Sequence, residues 1–401
     1  MLATGQLALA LVLLVASGLM LRSFQSLRNT EPGFQDPEEI LALRVYVTPQ
    51  EVRRSTDVAV SLETMARRLE DIPGVEAVGL ATGIPMDGWG NVNPFYVQGQ
   101  TLALGGPRIS RRHKWIGPGY LPTLRIPILM GRNFTWDDIH NRAPVAILSE
   151  SLAREVFGSL EDALGGRIAA RPDPPQWKEV VGIVADVLDD GMNQAPPALV
   201  YWPHVTLGFW EGNSAEDVQV WRGAGFAVRS GRLGTQGFIE EVQRAIWEVN
   251  PNLPVERIRP LTSHMEASMA GTSFTLILLG LAGSISLALG LVGVYGVISY
   301  SVAQRRRELG MRMALGARPT QVRTLVLRQG LAMAALGIGL GLAMAFALTR
   351  LMSSLLFGVE PSDPLTYVGM SGGLLVVALV ASYVPAIKAS RVDPASALRL
   401  E

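Results

Sequence analysis

FTLILLGLAGSISLALGLVGVYGVISYSV (274–302), followed at once by AQRRRELGMRMALGA (303–317), is the stretch that decides the architecture. The first part carries no charged side chain and is long enough, at 1.5 Å per residue, to cross a hydrocarbon layer of about 30 Å as one helix. The second opens with Arg305, Arg306 and Arg307, side chains that are costly to draw into lipid. A span that ends at a basic, water-facing segment satisfies both halves.

Three more uncharged runs have the same character: Leu2 to Leu21, about 329–349, and about 365–387. No Lys or Arg precedes the first of them, it exceeds a usual signal-peptide core, and no A-x-A site closes it, so an uncleaved helix is expected there. The fold class that follows is a membrane α-helical protein with four transmembrane helices, one N-terminal and three C-terminal. Small-xxx-small pairs such as Gly337/Gly341 and Gly369/Gly373 predict close helix packing in lipid.

Orientation follows from the basic residues. Between the second and third spans, Arg305, Arg306, Arg307, Arg312, Arg318, Arg323 and Arg328 face the single acid Glu308, which places this loop in the cytoplasm. The next loop holds Glu360 and Asp363 against the single base Arg350, whereas Lys388, Arg391 and Arg399 follow the last span. Residues 23–273 then lie outside, despite Arg22 and Arg28, because long domains translocate largely regardless of charge. The expected layout is a span at 1–22, an extracytoplasmic domain at 23–273, and a permease region at 274–401 with a cytoplasmic helix at 303–317 and a tail at 388–401. A multi-pass protein of the plasma or inner membrane is the result.

Composition agrees: 401 residues, 48% hydrophobic and only 17% charged, with the charges gathered outside the runs. Net charge is zero, which provides no general field for nucleic acid. There are no cysteines, so disulfides, thiolate metal sites and a thiol nucleophile are excluded.

Within the outer domain, extended stretches are predicted at Leu41–Val47, Val75–Ala81, Asn93–Val97, Ile109–Ile116, Val145–Leu148, Lys178–Val184 and Gly225–Arg229. Helices are predicted at Val58–Leu69, Ser151–Phe157 and Thr235–Val249. This is a large α+β domain of one or two lobes. Residues 186–218, rich in Pro, Gly, Asp and Asn, predict a loop with Tyr201, Trp202, Phe209 and Trp210 exposed, either as plain loop or as a contact surface for a partner or apolar ligand. Leu261–Ser273 leads straight into the second span and is expected to extend that helix above the membrane.

Catalytic signatures are missing. No GxxxxGK[ST] loop is present, Lys114, Lys178 and Lys388 being the only lysines; HExxH is absent too, and the GxSxG match at 369–373 lies inside an uncharged span rather than at a strand-to-helix turn. His113, His140, His204 and His264 are scattered, and Asp137, Asp138 and His140 read as a polar turn rather than a metal site. The spans hold no titratable group at depth, which disfavours an ion-coupled carrier.

The segment 303–317 reads as a short basic amphipathic helix. Leu309 and Met313 share one face, Met311 and Leu315 an adjacent one, and Glu308 can pair with Arg312. By composition alone its arginines would bind lipid phosphates and fix topology. The string from Gln304 to Ala317, however, closely resembles the R-x-R-E-[IL]-G-x-R-x-A-[LI]-G-A signature of the MacB/FtsX family of ABC permeases. Pro385 to Arg399 is similar to the closing P-A-x-x-A-[SA]-R-[VI]-x-P-[VA]-x-A-L-R of that family, and Leu21-Arg22-Ser23-Phe24 and Val180–Val187 are family-like as well. Within it the chain looks most like one half of the duplicated MacB-type permeases.

The resemblance implies a permease subunit without catalytic residues or cofactors of its own, ATP and Mg being bound by a separate nucleotide-binding ATPase subunit. It implies that Arg305, Arg306, Arg307, Glu308, Leu309, Gly310, Arg312, Met313, Leu315 and Gly316 couple to that ATPase. Arg305, Arg307, Glu308 and Arg312 would be polar contacts, and Leu309, Met313 and Leu315 apolar ones. The implied partners are the ATPase, a second permease copy or half forming a dimer, a periplasmic adaptor, and membrane lipid. Helix displacement would drive the outer domain by mechanotransmission, in efflux or in control of an envelope partner such as a cell-wall hydrolase. An orphan half is the remaining reading.

Overall fold

The computed structural model describes residues 2–99, 110–171, 175–210, 214, 217–235, 237–315, 317–353 and 356–390. Ile109, Gly316 and the tail from Arg391, all part of the sequence expectations, lie outside these residues. Two compact units are formed, one from Met1–Thr30 with Ala270–Glu401 and one from Glu31–Met269.

The membrane unit opens with α1 (Leu2–Arg28). The outer unit then runs β1 (Ile40–Tyr46), α2 (Ser55–Glu70), β2 (Val75–Ala81), β3 (Asn91–Pro94), β4 (Tyr96–Val97), β5 (Ser110–Ile116), α3 (Tyr120–Leu124) and β6 (Ile128–Gly131). It continues with α4 (Trp136–His140), β7 (Val145–Ser149), α5 (Glu150–Phe157), α6 (Leu160–Ala163), β8 (Arg167–Ala169), β9 (Lys178–Val184) and β10 (Leu199–Pro203). β11 (Val205–Leu207), β12 (Val218–Val220), β13 (Gly223–Ser230), α7 (Phe238–Val249) and β14 (Val255–Pro260) complete the order before α8 (Leu261–Gln304), α9 (Arg306–Ala314), α10 (Pro319–Leu351) and α11 (Pro364–Ser390).

Four of these helices, α1, α8, α10 and α11, are long and apolar enough to span a membrane. α1 is the most enclosed. Its Leu7 and Leu11 seat on Gly337 and Gly341 of α10, where a Cβ would come within 2.8 and 2.9 Å of them, so the first glycine pair packs as expected. At Gly369 and Gly373 a Cβ would meet nothing within 4 Å, so the second pair makes no close helix contact among the described residues. α8 presents Phe274, Ile277, Leu281, Ile285, Leu289 and Val292 outward.

Arg22, whose charge opposes the positive-inside bias, is held in an ion pair by Asp363. The same carboxylate accepts the Thr366 amide at 2.9 Å and caps α11. Nearby, Ser23 Oγ accepts the Phe357 amide at 2.8 Å. The end of α1 and the loop between α10 and α11 therefore share one side, as the span count requires. On the other side Arg323 Nε donates to Ser390 Oγ at 2.9 Å.

The outer unit is built on a mixed sheet ordered β14-β1-β13-β2-β5-β10-β7-β9-β8-β4, with β3 added on β5 and β6 on β9. β2 and β5 meet at one residue pair, Ala81 with Ile116, which divides the sheet into two lobes. One lobe packs α2 and α7 on β1, β2 and β13 through Val58, Leu62, Leu69, Phe226, Phe238 and Ile246. The other packs α5 on β7, β9 and β10 beside an aromatic cluster.

That cluster corrects the reading of 186–218 as a loop with exposed aromatics. β10 lies there, parallel to β5 and antiparallel to β7. Tyr201, Trp202 and Phe209 are fully buried, and Trp210 is partly buried against the same core. A central strand of five buried residues has no alternation to reveal it, and the Pro and Gly around it dominate composition. The contact surface imagined for these rings is internal. Strands β6, β8, β11, β12 and β14 also escaped the sequence reading, being short or half-buried.

Burial also governs titration here. Trp202 Nε1 donates to His113 Nδ1 at 3.1 Å, and burial pushes His113 down to about 3. His204, with neither ring nitrogen partnered, is pushed down to about 4 by the same cause. An unfolded chain takes up a proton on each near pH 6.5, but the folded chain does so only well below, so stability falls as pH drops through that window. We expect His204→Phe to flatten the loss of thermal stability between pH 6.5 and 4, recovering on the order of 3 kcal/mol by pH 4. Tryptophan emission of the detergent-solubilised chain would report it, and an unchanged acid slope would remove His204 as the cause.

Candidate functional site

At the cytoplasmic end, α8 stops at Gln304 because Arg305 leaves the helical region (φ −98°, ψ 13°), and a new helix begins one residue later. The Leu309 amide still donates to the Arg305 carbonyl at 2.9 Å, which fixes the first turn of α9. Pro319, placed at the first helical position, then opens α10, with Arg318 extended before it and its amide donating to Gln321 Oε1 at 3.0 Å.

α9 has two unlike faces. Leu309 is buried and Met313 half-buried, both packed into the membrane-unit core that includes Val322 and Val326. Arg305, Arg306, Arg307, Glu308, Met311 and Arg312 are exposed. Glu308 accepts from Arg312 at 2.6 Å across one turn. Leu315, at 89% exposure, stands free of any core. The structure thus brings the arginines, Glu308 and Leu315 to one accessible surface and takes Leu309 out of it. Gly310 contributes backbone to α9, and Gly316 lies outside the described residues.

The other end of α8 is held within the outer unit. Leu261 and His264 are buried, and Arg259 Nε donates to His264 Nε2 at 3.2 Å. The Met192 amide donates to Ser268 Oγ at 3.2 Å, beside Gly191. Asp87 accepts from Arg44 Nη1 at 3.1 Å and from the amides of Ile84 and Trp89 at 3.0 and 2.7 Å, while its carbonyl accepts from Arg257 Nη1 at 2.8 Å. Two loops, around Asp87 and around Asp189, are joined by the Met86 amide donating to the Asp189 carbonyl at 2.8 Å. Asp189 is itself locked by a fully buried ion pair with Lys114 of β5. Met86 and Arg257 sit in left-handed backbone conformations, an arrangement that persists where surroundings over-determine it.

Sequence reasoning found the helical extension of α8 but none of the groups that grip it. Asp87, Asp189, Met192 and Ser268 are distant along the chain and match no spacing rule.

His140, Asp137 and Asp138 form no metal site. Asp138 closes a capping box with Thr135 and binds Arg132, and His140 Nε2 lies 3.1 Å from Glu63. Among the described residues no cluster has metal-ligating geometry.

Residues 2–221 match the family model of the MacB-like periplasmic core domain, and residues 280–394 that of the FtsX-like permease C-terminal region. A macrolide export ATP-binding/permease protein MacB from Hyphomonas neptunium is 28% identical over 291 residues, covering 68% of this chain and 41% of the relative. Its namesake in Burkholderia cenocepacia is 26% identical over 308 residues, covering 71% and 40%. The chain therefore spans about two fifths of the length of the curated relatives it matches. Among solved structures, the periplasmic region of MacB from Actinobacillus actinomycetemcomitans aligns at TM-score 0.37 and 16% identity, over 58% of this chain and 94% of that one. The extracellular domain of the noncanonic ABC-type transporter YknZ from Gram-positive bacteria aligns at TM-score 0.33 and 16% identity, over 54% and 100%.

The absence of native cysteine makes the sidedness directly measurable. An impermeant maleimide is expected to label Leu315→Cys in inside-out vesicles and not in right-side-out ones, with Glu161→Cys behaving oppositely. Labelling of position 315 from the outside would invert the topology.

Proposed function

Because the chain belongs to the family of permeases that join a MacB-like periplasmic core domain to an FtsX-like C-terminal region, we propose that it is the membrane subunit of an ABC transporter driven by a separate nucleotide-binding subunit. ATP and Mg reside on that subunit, which docks on the exposed face of α9. The observation that carries this reading is the pairing on one accessible surface of four exposed arginines, Arg305, Arg306, Arg307 and Arg312, with Glu308 and a solvent-facing Leu315. Arginines at the membrane surface alone need no apolar neighbour. A protein interface does, because hot spots combine desolvated apolar anchors with Arg.

Closure of two nucleotide-binding subunits displaces α9, and α8 carries the displacement. A helix is stiff along its axis because every backbone hydrogen bond lies nearly parallel to it. α8 continues unbroken from Leu261 to Gln304, and its first turns are gripped by the loops around Asp87 and Asp189. Work is therefore delivered to the periplasmic domain, where substrate is expelled from the outer side, with a periplasmic adaptor as further partner. The name of the relatives, macrolide export proteins, favours export over control of an envelope hydrolase. A second copy, or the other half of a duplicated permease, covers the outward apolar face of α8.

Two substitutions separate the steps. Glu308→Arg combined with Arg312→Glu should abolish association with the nucleotide-binding subunit in a pull-down from detergent while insertion stays normal; full recovery of the ATPase would reject the role of α9. At Gly271 a Cβ would meet nothing within 4 Å outside the local helix backbone, so Gly271→Pro disrupts α8 through that backbone alone, losing one hydrogen bond and crowding the carbonyl four residues earlier, at a local cost of about 3 kcal/mol. We expect that variant to hydrolyse ATP normally and to lose the nucleotide-dependent change in spin-label distance between paired outer domains. An undiminished change would show that the motion travels by another route.

A further inference from the structure

Beside α9 the membrane unit has a groove of about 440 Å³, between that helix and the first two turns of α10. Leu309 and Val322, both buried, form its floor, and Leu315, Leu325, Arg312 and Gln321 its rim. Leu325 is a large apolar side chain left 42% exposed between Arg323 and Arg328. These arginines precede the uncharged run of α10, so the groove lies at the level of headgroups and water rather than in hydrocarbon.

We propose that this groove is a socket for an apolar side chain carried on an acidic stretch of the nucleotide-binding subunit. The proposal rests on the docking reading above and adds a second, receiving surface to it, on α10 rather than α9. Charge complementarity selects the occupant. Arg305, Arg306, Arg307, Arg318 and Arg328, on the same cytoplasmic segment and the start of α10, have no ion-pair partner among the described residues, and the acid of this segment, Glu308, is already taken by Arg312. An incoming segment must therefore bring the negative charge, and an apolar residue at its centre would bury Leu315 and Leu325 together. A lipid supplies a phosphate for the arginines, but its acyl chains lie on the hydrocarbon side of Arg328, away from the groove floor.

Photo-crosslinking in native membranes tests this. p-Benzoylphenylalanine is placed at position 315 on α9 or 325 on α10, and the adducts are identified by mass spectrometry. Both positions are expected to capture the same P-loop ATPase, with position 325 crosslinked to a peptide that contains acidic residues. In a chain carrying the probe at 315, Leu325→Glu should lower the ATPase adduct roughly tenfold or more, and Leu325→Met should restore it. If position 315 captures the ATPase while 325 yields only lipid adducts or none, the socket is overturned and docking on α9 stands. If neither position captures an ATPase, the docking reading itself fails and the socket with it.

Discussion

A guanidinium is held out of hydrocarbon at about 2.5 to 3.5 kcal/mol for each residue at a span centre, and seven arginines lie between the end of α8 and the uncharged part of α10. That constraint fixes the rest. It pins one end of α8 and α10 in the cytoplasm, and by span parity it places residues 31–269 outside. Of the basic residues that oppose it, Arg22 is neutralised by Asp363, which also caps α11. The charge that argued against the topology in sequence thus becomes, in the fold, a tie between the outer ends of two spans.

The parts legible in sequence are those whose cause is local. A span is set by composition over some twenty residues, and α1, α8, α10 and α11 needed nothing more. β1, α2, β2 and β9 alternate or repeat with clear periods, and their limits lie close to where the pattern placed them. β10 was illegible because Leu199 to Pro203 carry no period and are bounded by Pro196, Pro197 and their own Pro203, whereas the equally buried β7 stood out as an apolar run. Trp202 was misplaced for the same reason: an aromatic in a Gly- and Pro-rich segment looks exposed until its strand is known to be central; Phe209, outside any strand, is buried by its ring contacts with Trp115 and Trp202. At the site, the basic face of α9 was legible from spacing, but not the division between Leu309, turned into the core, and Leu315, left in solvent. That division depends on where α10 lies.

The grip on the start of α8 was beyond sequence because it is a chain of tertiary bonds. It begins at Lys114 in the middle of the sheet, passes through the buried Asp189 to its own carbonyl, and crosses to the Met86 amide and the Asp87 turn. Lys114 and Asp189 are both dry, so removing either would leave an uncompensated charge in a site that cannot solvate it. A buried pair adds little net stability over an apolar one, but it permits one arrangement of the loops.

The opposite end of α8 depends on a different device. A nine-residue helix is too short to persist alone in water, because nucleation is unfavourable and few bonds follow it. α9 is held instead by Leu309 and Met313, which bury against α10 while the arginines stay outside. The same two side chains decide what happens under load. In the docking proposed above, a force on the basic face would meet an element stitched to the bundle rather than one free to peel away. The apolar residues that sequence reasoning assigned to the partner's surface are thus divided: Leu309 packs α9 onto the membrane-unit core, and Leu315 stays in solvent, where the docking proposed above would use it.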